Sequence, residues 1–205
     1  MTAPTNDLDE LVNEVLLCRI CLDKPSGKPL PHLPRPVLQV SASARILIAG
    51  QAPGTRVHAS GRPFTDPSGE RLRQWLGVTS DIFYDRQRMA ILPMGFCFPG
   101  LSAAGADLPP RAECANAWRA RLLALMPQVE LIIGLGAYAL KWHLGSHYQG
   151  SLHQAVLAWR DGLAMTPRII ALPHPSWRNN GWLKRNPWFE TELLPELKEA
   201  VAVRL

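Results

Sequence analysis

Four short apolar runs recur along the chain, at residues 45–49 (RILIA), 89–92 (MAIL), 129–133 (VELII) and 168–172 (RIIAL). Each is rich in β-branched or long aliphatic side chains and bounded by glycine, proline or polar residues, the pattern of a buried strand. Between and around them the apolar positions change to helical spacing. Leu8, Leu11, Val12, Val15 and Leu16 predict a helix over 7–21. Leu72, Trp75 and Leu76 predict one over 68–76, with Ser68 as N-cap and Gly77 as stop. A helix over 111–125 opens after Pro109–Pro110, and further helices are expected over 137–144 and 187–203. Residues 24–36, with their many prolines, read as an extended connector, and no internal repeat interrupts the pattern. Strand and helix alternate four times, which predicts a three-layer α/β/α fold around a central four-stranded, mostly parallel sheet, in a single domain over 1–205.

Two of the expected strands end abnormally. The first breaks at once into Gly50-Gln51-Ala52-Pro53-Gly54, a tight turn and either a plain strand-to-helix connection or a ligand site at a strand's C-terminal end. The fourth runs directly into Pro173-His174-Pro175-Ser176-Trp177-Arg178-Asn179-Asn180. The two prolines restrain His174, which is either structural or poised to stabilise a developing anion, with Ser176, Arg178 and the asparagines supplying donors nearby. Both turns lie at the same end of a parallel sheet and so converge on one cleft. A third stretch, GRPFTDPSGERL over 61–72, presents Phe64 on a loop before a helix start. Its ring is suited either to stacking a flat ligand or to anchoring the loop, and the helix N-terminus favours an anion such as phosphate. Asp66 is placed either to orient water or to cap its turn, and the turn is favoured; His58, His143, His147 and His153 read as core or surface residues.

Composition narrows the classes. With 47% hydrophobic and 19% charged residues the chain is neither disordered nor membranous, and no apolar run approaches the ~20 residues that span a bilayer. The acidic N-terminus lacks a signal-peptide core, so a cytoplasmic protein is expected. A net charge of +5 permits a polyanionic partner. The cysteines fall as Cys18, Cys21, Cys97 and Cys114. In a reducing compartment these are not expected to form disulfides; by spacing alone they are either packing residues or ligands of a metal or cluster.

Taken in order, GQAPG, GRPF with its following SG, and HPS after the last strand resemble the uracil-DNA glycosylase superfamily over roughly residues 10–200. The four cysteines resemble the pattern of its iron–sulfur-containing bacterial and archaeal branch. The resemblance implies hydrolysis of the N-glycosidic bond of uracil or a related deaminated base in DNA, opening base-excision repair on a base flipped from the stack. It implies His174 and Gln51 as catalytic residues, and Gly50, Ala52, Pro53, Gly54, Phe64, Pro93 and Met94 around the base. Ser176, Arg178 and Asn179 would contact DNA, with Trp177 and Trp182 nearby, and Cys18, Cys21, Cys97 and Cys114 would hold a 4Fe-4S cluster. Two departures bear on activity. Ala52 stands where the most efficient branch has an aspartate, and Pro93 and Met94 stand where an asparagine commonly reads the base. A catalytically weak damaged-DNA-binding protein is therefore the alternative, and a cluster-bearing redox protein a more distant one. No heptad or long exposed apolar edge is present, and a monomer is expected.

Overall fold

The structure, a computed structural model, describes residues 4–205, with side chains from residue 7 onward. The first three residues of the acidic N-terminus lie outside the described residues. Four strands form one parallel sheet: β1 (Ile46–Ala49), β2 (Met89–Ile91), β3 (Leu131–Leu135) and β4 (Arg168–Leu172), in the order β2-β1-β3-β4. The register runs Ile46 opposite Met89 and Leu131, and Leu131 opposite Arg168. Strand alternation divides the core into two layers. Ile46 and Ile48 face one side with Leu72, Trp75, Phe83 and Phe189; Leu47 and Ala49 face the other with Leu8, Leu11, Val15 and Leu122. Helices cover both faces, as parallel strands buried on two sides require.

The helices are α1 (Pro4–Leu16), α2 (Ile20–Asp23), α3 (Thr55–Ser60), α4 (Pro67–Leu76), α5 (Ser80–Tyr84), α6 (Ala112–Cys114), α7 (Ala120–Ala124), α8 (Ala137–Leu144), α9 (Leu152–Leu157), α10 (Trp159–Leu163), α11 (Asn180–Arg185) and α12 (Leu194–Ala202). The helix expected over 7–21 is broken after Leu16, so that Cys18 lies in the turn and Cys21 in α2. The run over 111–125 is one helical rod with a π-helical turn at Ala115–Arg119 between α6 and α7. The last helix likewise begins with a π-helical turn, Phe189–Leu193. The third strand starts two residues later than expected, because the N–H groups of Glu130 and Leu131 both turn to the Arg45 carbonyl at its entry.

The N-cap of α4 is Asp66, not Ser68: its carboxylate accepts from the Gly69 N–H at 3.1 Å, and Pro67 occupies the first turn. The chain just past the connector covers the edge of β2, with Gln39 and Ile91 exchanging backbone hydrogen bonds at 2.9 and 2.6 Å. With β2 and β3 on opposite sides of β1, the chain reverses direction across the sheet beside β1. The crevice at the C-terminal ends of the strands is thereby the favoured place for a ligand.

Candidate active site

The turn after β1 is held by the segment that leaves β2. The Met94 N–H donates to the Gly50 carbonyl and the Gly95 N–H to the Gln51 carbonyl, both at 2.9 Å. Gly54 then caps α3 in an extended conformation. Phe64 approaches this turn from the next loop: a Cβ placed on Gly50 would lie 3.8 Å from the tip of its ring. Phe64 adopts φ +54°, a left-handed conformation disfavoured for a bulky side chain. Three residues hold it there. The Tyr84 hydroxyl donates to the carbonyls of Pro63 (2.9 Å) and Phe64 (3.1 Å), Arg73 donates to the Phe64 carbonyl (3.4 Å), and the Phe83 ring meets Phe64 edge-on.

His174 arrives from the end of β4. Its carbonyl accepts from the Asn179 side-chain amide at 2.7 Å, so Asn179 is turned inward and fixes the loop that carries the imidazole. Burial dominates its protonation and pulls the imidazole pKa below its ordinary value; Asp66 and Asp107 oppose this, and Arg178 adds to it. The ring is therefore neutral near pH 7, a hydrogen-bond donor to an oxygen that is gaining charge.

These pieces meet in an inner pocket of about 100 Å³, lined by Gly50, Gln51, Ala52, Pro53, Gly54, Phe64, Pro93 and His174, with Asp66 and Asp107 at its side. It opens into a cleft of about 630 Å³ bordered by Arg56, Arg71, Ser176, Trp177, Arg178 and Asn179. All of the sequence-predicted base-site residues except Met94 are thus brought together. Met94 packs into the core on the α1 side of the sheet. Side chains alternate along this extended segment, so Pro93, which faces the pocket, excludes its neighbour.

Arg56, Arg71, Asp107 and Arg119 were not singled out by sequence. Arg71 donates to the Asn180 side chain (2.8 Å) and to the Ser176 carbonyl (3.3 Å), tying α4 to the histidine loop. Arg119 is wholly buried and donates to the carbonyls of Leu92 (2.8 Å) and Pro93 (2.9 Å), immediately behind the pocket wall. Burial lowers its pKa to about 9, and its partner His143, held down by burial and by the Arg119 charge, is lowered to about 3. His143 is thus an acceptor for Arg119.

Away from the cleft, Cys18, Cys21, Cys97 and Cys114 line one small cavity with Val15, Leu30, Pro34, Pro36 and Phe96, all four as free thiols. The Trp118 indole N–H donates to the Cys18 sulfur (3.2 Å) and the Phe96 N–H to the Cys114 sulfur (3.3 Å). Burial pushes the Cys97 and Cys114 thiols up to about 12. Among the described residues, no group of three or more His, Cys, Asp or Glu is arranged to hold a metal ion.

The uracil DNA glycosylase superfamily profile matches residues 38–198, and the chain belongs to that superfamily. A solved structure similar to it is that of wild-type SMUG2 from Pedobacter heparinus, at 17% identity and a TM-score of 0.44, covering 77% of this chain and 76% of that one. No helix among the described residues is long and apolar enough to cross a membrane.

Proposed function

We propose that the protein is a DNA glycosylase that hydrolyses the N-glycosidic bond of uracil or a related deaminated base, the opening step of base-excision repair. The observation that carries the reading is the meeting of Phe64, the Gly50–Gly54 turn and His174 in one inner pocket that opens on an arginine-bordered cleft. A base flipped from the stack would lie on the Phe64 ring, with the glycine turn letting the backbone approach. As the C1′–N bond lengthens, negative charge builds on the base, and the neutral His174 imidazole donates a hydrogen bond to its oxygen. Arg56, Arg71 and Arg178 offer positive charge to the phosphates, joined by Ser176. Trp177, 72% exposed beside Arg178, is available to fill the gap left in the stack. The reading carries with it a cytoplasmic monomer.

The four cysteines fit a 4Fe-4S cluster in number, in their apolar surroundings and in the N–H donors aimed at two of the sulfurs. When bound, the cluster would cross-link α1–α2, the segment after β2 and α6; no step of base release is assigned to it. Anaerobic preparations should contain iron and a broad visible absorption that Cys97→Ser abolishes, and colourless, iron-free protein would end this part of the proposal.

Ala52 and Pro93 favour a second reading, a damaged-DNA-binding protein with little turnover, because neither side chain can orient water or read a base edge. Base release from labelled oligonucleotides containing uracil, hypoxanthine or xanthine, in single and double strands, separates the two. Release abolished by His174→Ala supports the glycosylase; tight lesion binding without release by the wild type supports the alternative.

A further inference from the structure

Residues 100–108 form a small hairpin over the mouth of the inner pocket. The Leu108 N–H donates to the Gly100 carbonyl (3.0 Å), the Ser102 N–H to the Ala106 carbonyl (2.8 Å), and the Ala106 N–H to the Ser102 hydroxyl (3.1 Å), with an antiparallel bridge between Leu101 and Asp107. Gly105 makes the turn at φ +74°. At the base of the hairpin Gly100, at φ +99°, is closed in by Pro31. The device is thus braced at both ends, and it delivers the Asp107 carboxylate to the pocket.

One carboxylate oxygen of Asp107 lies 3.6 Å from the position a Cβ on Gly54 would occupy, directly over the turn after β1. Asp107 lines both the inner pocket and the cleft, with Ala52 and His174, and it is close enough to favour the charged form of that imidazole. Among the described residues its carboxylate has no ion pair and no hydrogen bond. The other acid of the pocket, Asp66, is engaged by the Gly69 N–H as the cap of α4. A solvated, unpaired carboxylate in a cleft bordered by arginines opposes the binding of a polyanion, so its presence there has to be explained by something other than affinity.

We propose that Asp107 is the water-orienting base of this site, supplying from the hairpin the carboxylate that the turn itself lacks at Ala52. The inference rests on the glycosylase reading above. In the step it serves, a water molecule in the pocket shared by Gln51 and His174 donates a hydrogen bond to Asp107. The water oxygen bonds to C1′ of the deoxyribose, and its proton passes to the Asp107 carboxylate. The C1′–N bond breaks with its electron pair remaining on the base, which leaves as an anion hydrogen-bonded to His174. The products are the free base and a sugar carrying a hydroxyl at C1′.

The test compares wild type, Asp107→Asn, Asp66→Asn and His174→Ala in single-turnover base release on whichever deaminated base the wild type excises best. Binding to a duplex carrying a non-hydrolysable abasic analogue is measured beside it. Asp107 is exposed on its hairpin, so Asp107→Asn should fold as the wild type does. The expected result is a single-turnover rate lower by roughly 100-fold, the lower range for a positioned general base, with duplex binding unchanged or tighter. A rate within about threefold of wild type, well short of what a positioned general base contributes, overturns the proposal, as does a loss fully accounted for by weaker binding. A large fall confined to Asp66→Asn gives the role to that residue instead. A wild type inert on every base removes the glycosylase reading and this inference with it, whereas an active wild type with an unaffected Asp107→Asn removes the inference alone.

Discussion

Replacing Gly69 by alanine would test whether the unusual conformation of Phe64 is what makes the pocket. Gly69 is buried in the first turn of α4, directly under the Phe64 backbone. A Cβ there would overlap the Phe64 carbonyl oxygen and come within 2.6 Å of its carbonyl carbon and 2.7 Å of its Cβ. Two of these atoms are backbone, so no rotamer change relieves the clash. Either the first turn of α4 moves outward or residues 63–65 move away from it. The second path breaks the hydrogen bonds from Tyr84 that hold Phe64 at φ +54°, a conformation that itself stores about 1–3 kcal/mol. Overpacking of this kind typically costs about 1–3 kcal/mol, and the greater helix propensity of alanine returns at most about 1 kcal/mol near a helix end. A net loss of about 1–2 kcal/mol corresponds to a fall in Tm of roughly 2–8 °C for a chain of this size. A displacement of the ring by about 1 Å costs on the order of 100-fold in rate where geometry governs a reaction. Thermal unfolding and single-turnover base release measure the two effects separately. Gly27→Ala is the control, since a Cβ there meets nothing within 4 Å. A Gly69→Ala protein with the stability and base release of wild type would refute the account of Phe64.

Three further outcomes follow from contacts around the site. Arg71→Met should leave α4 intact, because the arginine is only half-buried, yet weaken duplex binding several-fold as the loop carrying Ser176 and Trp177 loses its tether to α4; a fluorescence-anisotropy titration at fixed salt reads this. Arg119→Met should destabilise by about 1–3 kcal/mol in urea unfolding: the carbonyls of Leu92 and Pro93 lose their donors, while removal of a buried charge offsets part of the loss. His143 is lowered to about 3 in the folded chain against about 6.5 unfolded, so the unfolded state takes up its proton first as pH falls. Its contribution to stability is complete above about pH 6.5 and is lost progressively toward pH 3, a decline to which His174 adds in the same direction, and which His143→Asn should flatten in urea midpoints measured across that range.

The parts of this molecule that announce themselves in sequence are those whose physics is local. The runs at 137–144 and 168–172 form a helix and a strand over those residues, the first bounded by Gly136 and Gly145, the second, a short continuous apolar run, by Pro167 and Pro173. GQAPG, GRPF and HPS stand out because glycine and proline punctuate them, and the convergence of their loops follows from parallel topology. What sequence conceals is set between distant segments. Arg71 meets Asn180 across 109 positions, and Arg119 meets Pro93 across 26. On a helix each reads as an ordinary solvated cation. Asp107 lies in an irregular stretch with no period, so nothing marks it until the hairpin closes over the turn. The helices at 55–60, 80–84, 152–157, 159–163 and 180–185 are too short to carry a period that outweighs their polar composition. Exchanging Ser68 for Asp66 as the α4 cap is a one-turn matter of which oxygen reaches the Gly69 N–H, and both residue types satisfy the preference.

The buried segment that leaves β2 explains why the pocket and the thiol cavity belong to one mechanical unit. Residues 91–100 are all buried although, past Ile91, they form no regular element, so their backbone polar groups need partners drawn from elsewhere. Those partners come from both sides. Ile48, Gly50 and Gln51 accept from the N–H groups of Leu92, Met94 and Gly95; Arg119 donates to the carbonyls of Leu92 and Pro93; Val37 donates to Phe96; and the Phe96 N–H is satisfied by the sulfur of Cys114. Pro93 at one end is a wall of the inner pocket, and Cys97, four residues on, is a wall of the thiol cavity. One buried segment, held from both sides, thus forms a wall of each cavity. Between Pro93 and Cys97 the segment is tied to the turn after β1 by the Met94 and Gly95 N–H groups and to α6 by the Phe96 N–H on the Cys114 sulfur, so the hydrogen bonds that place one wall lie within four residues of the other.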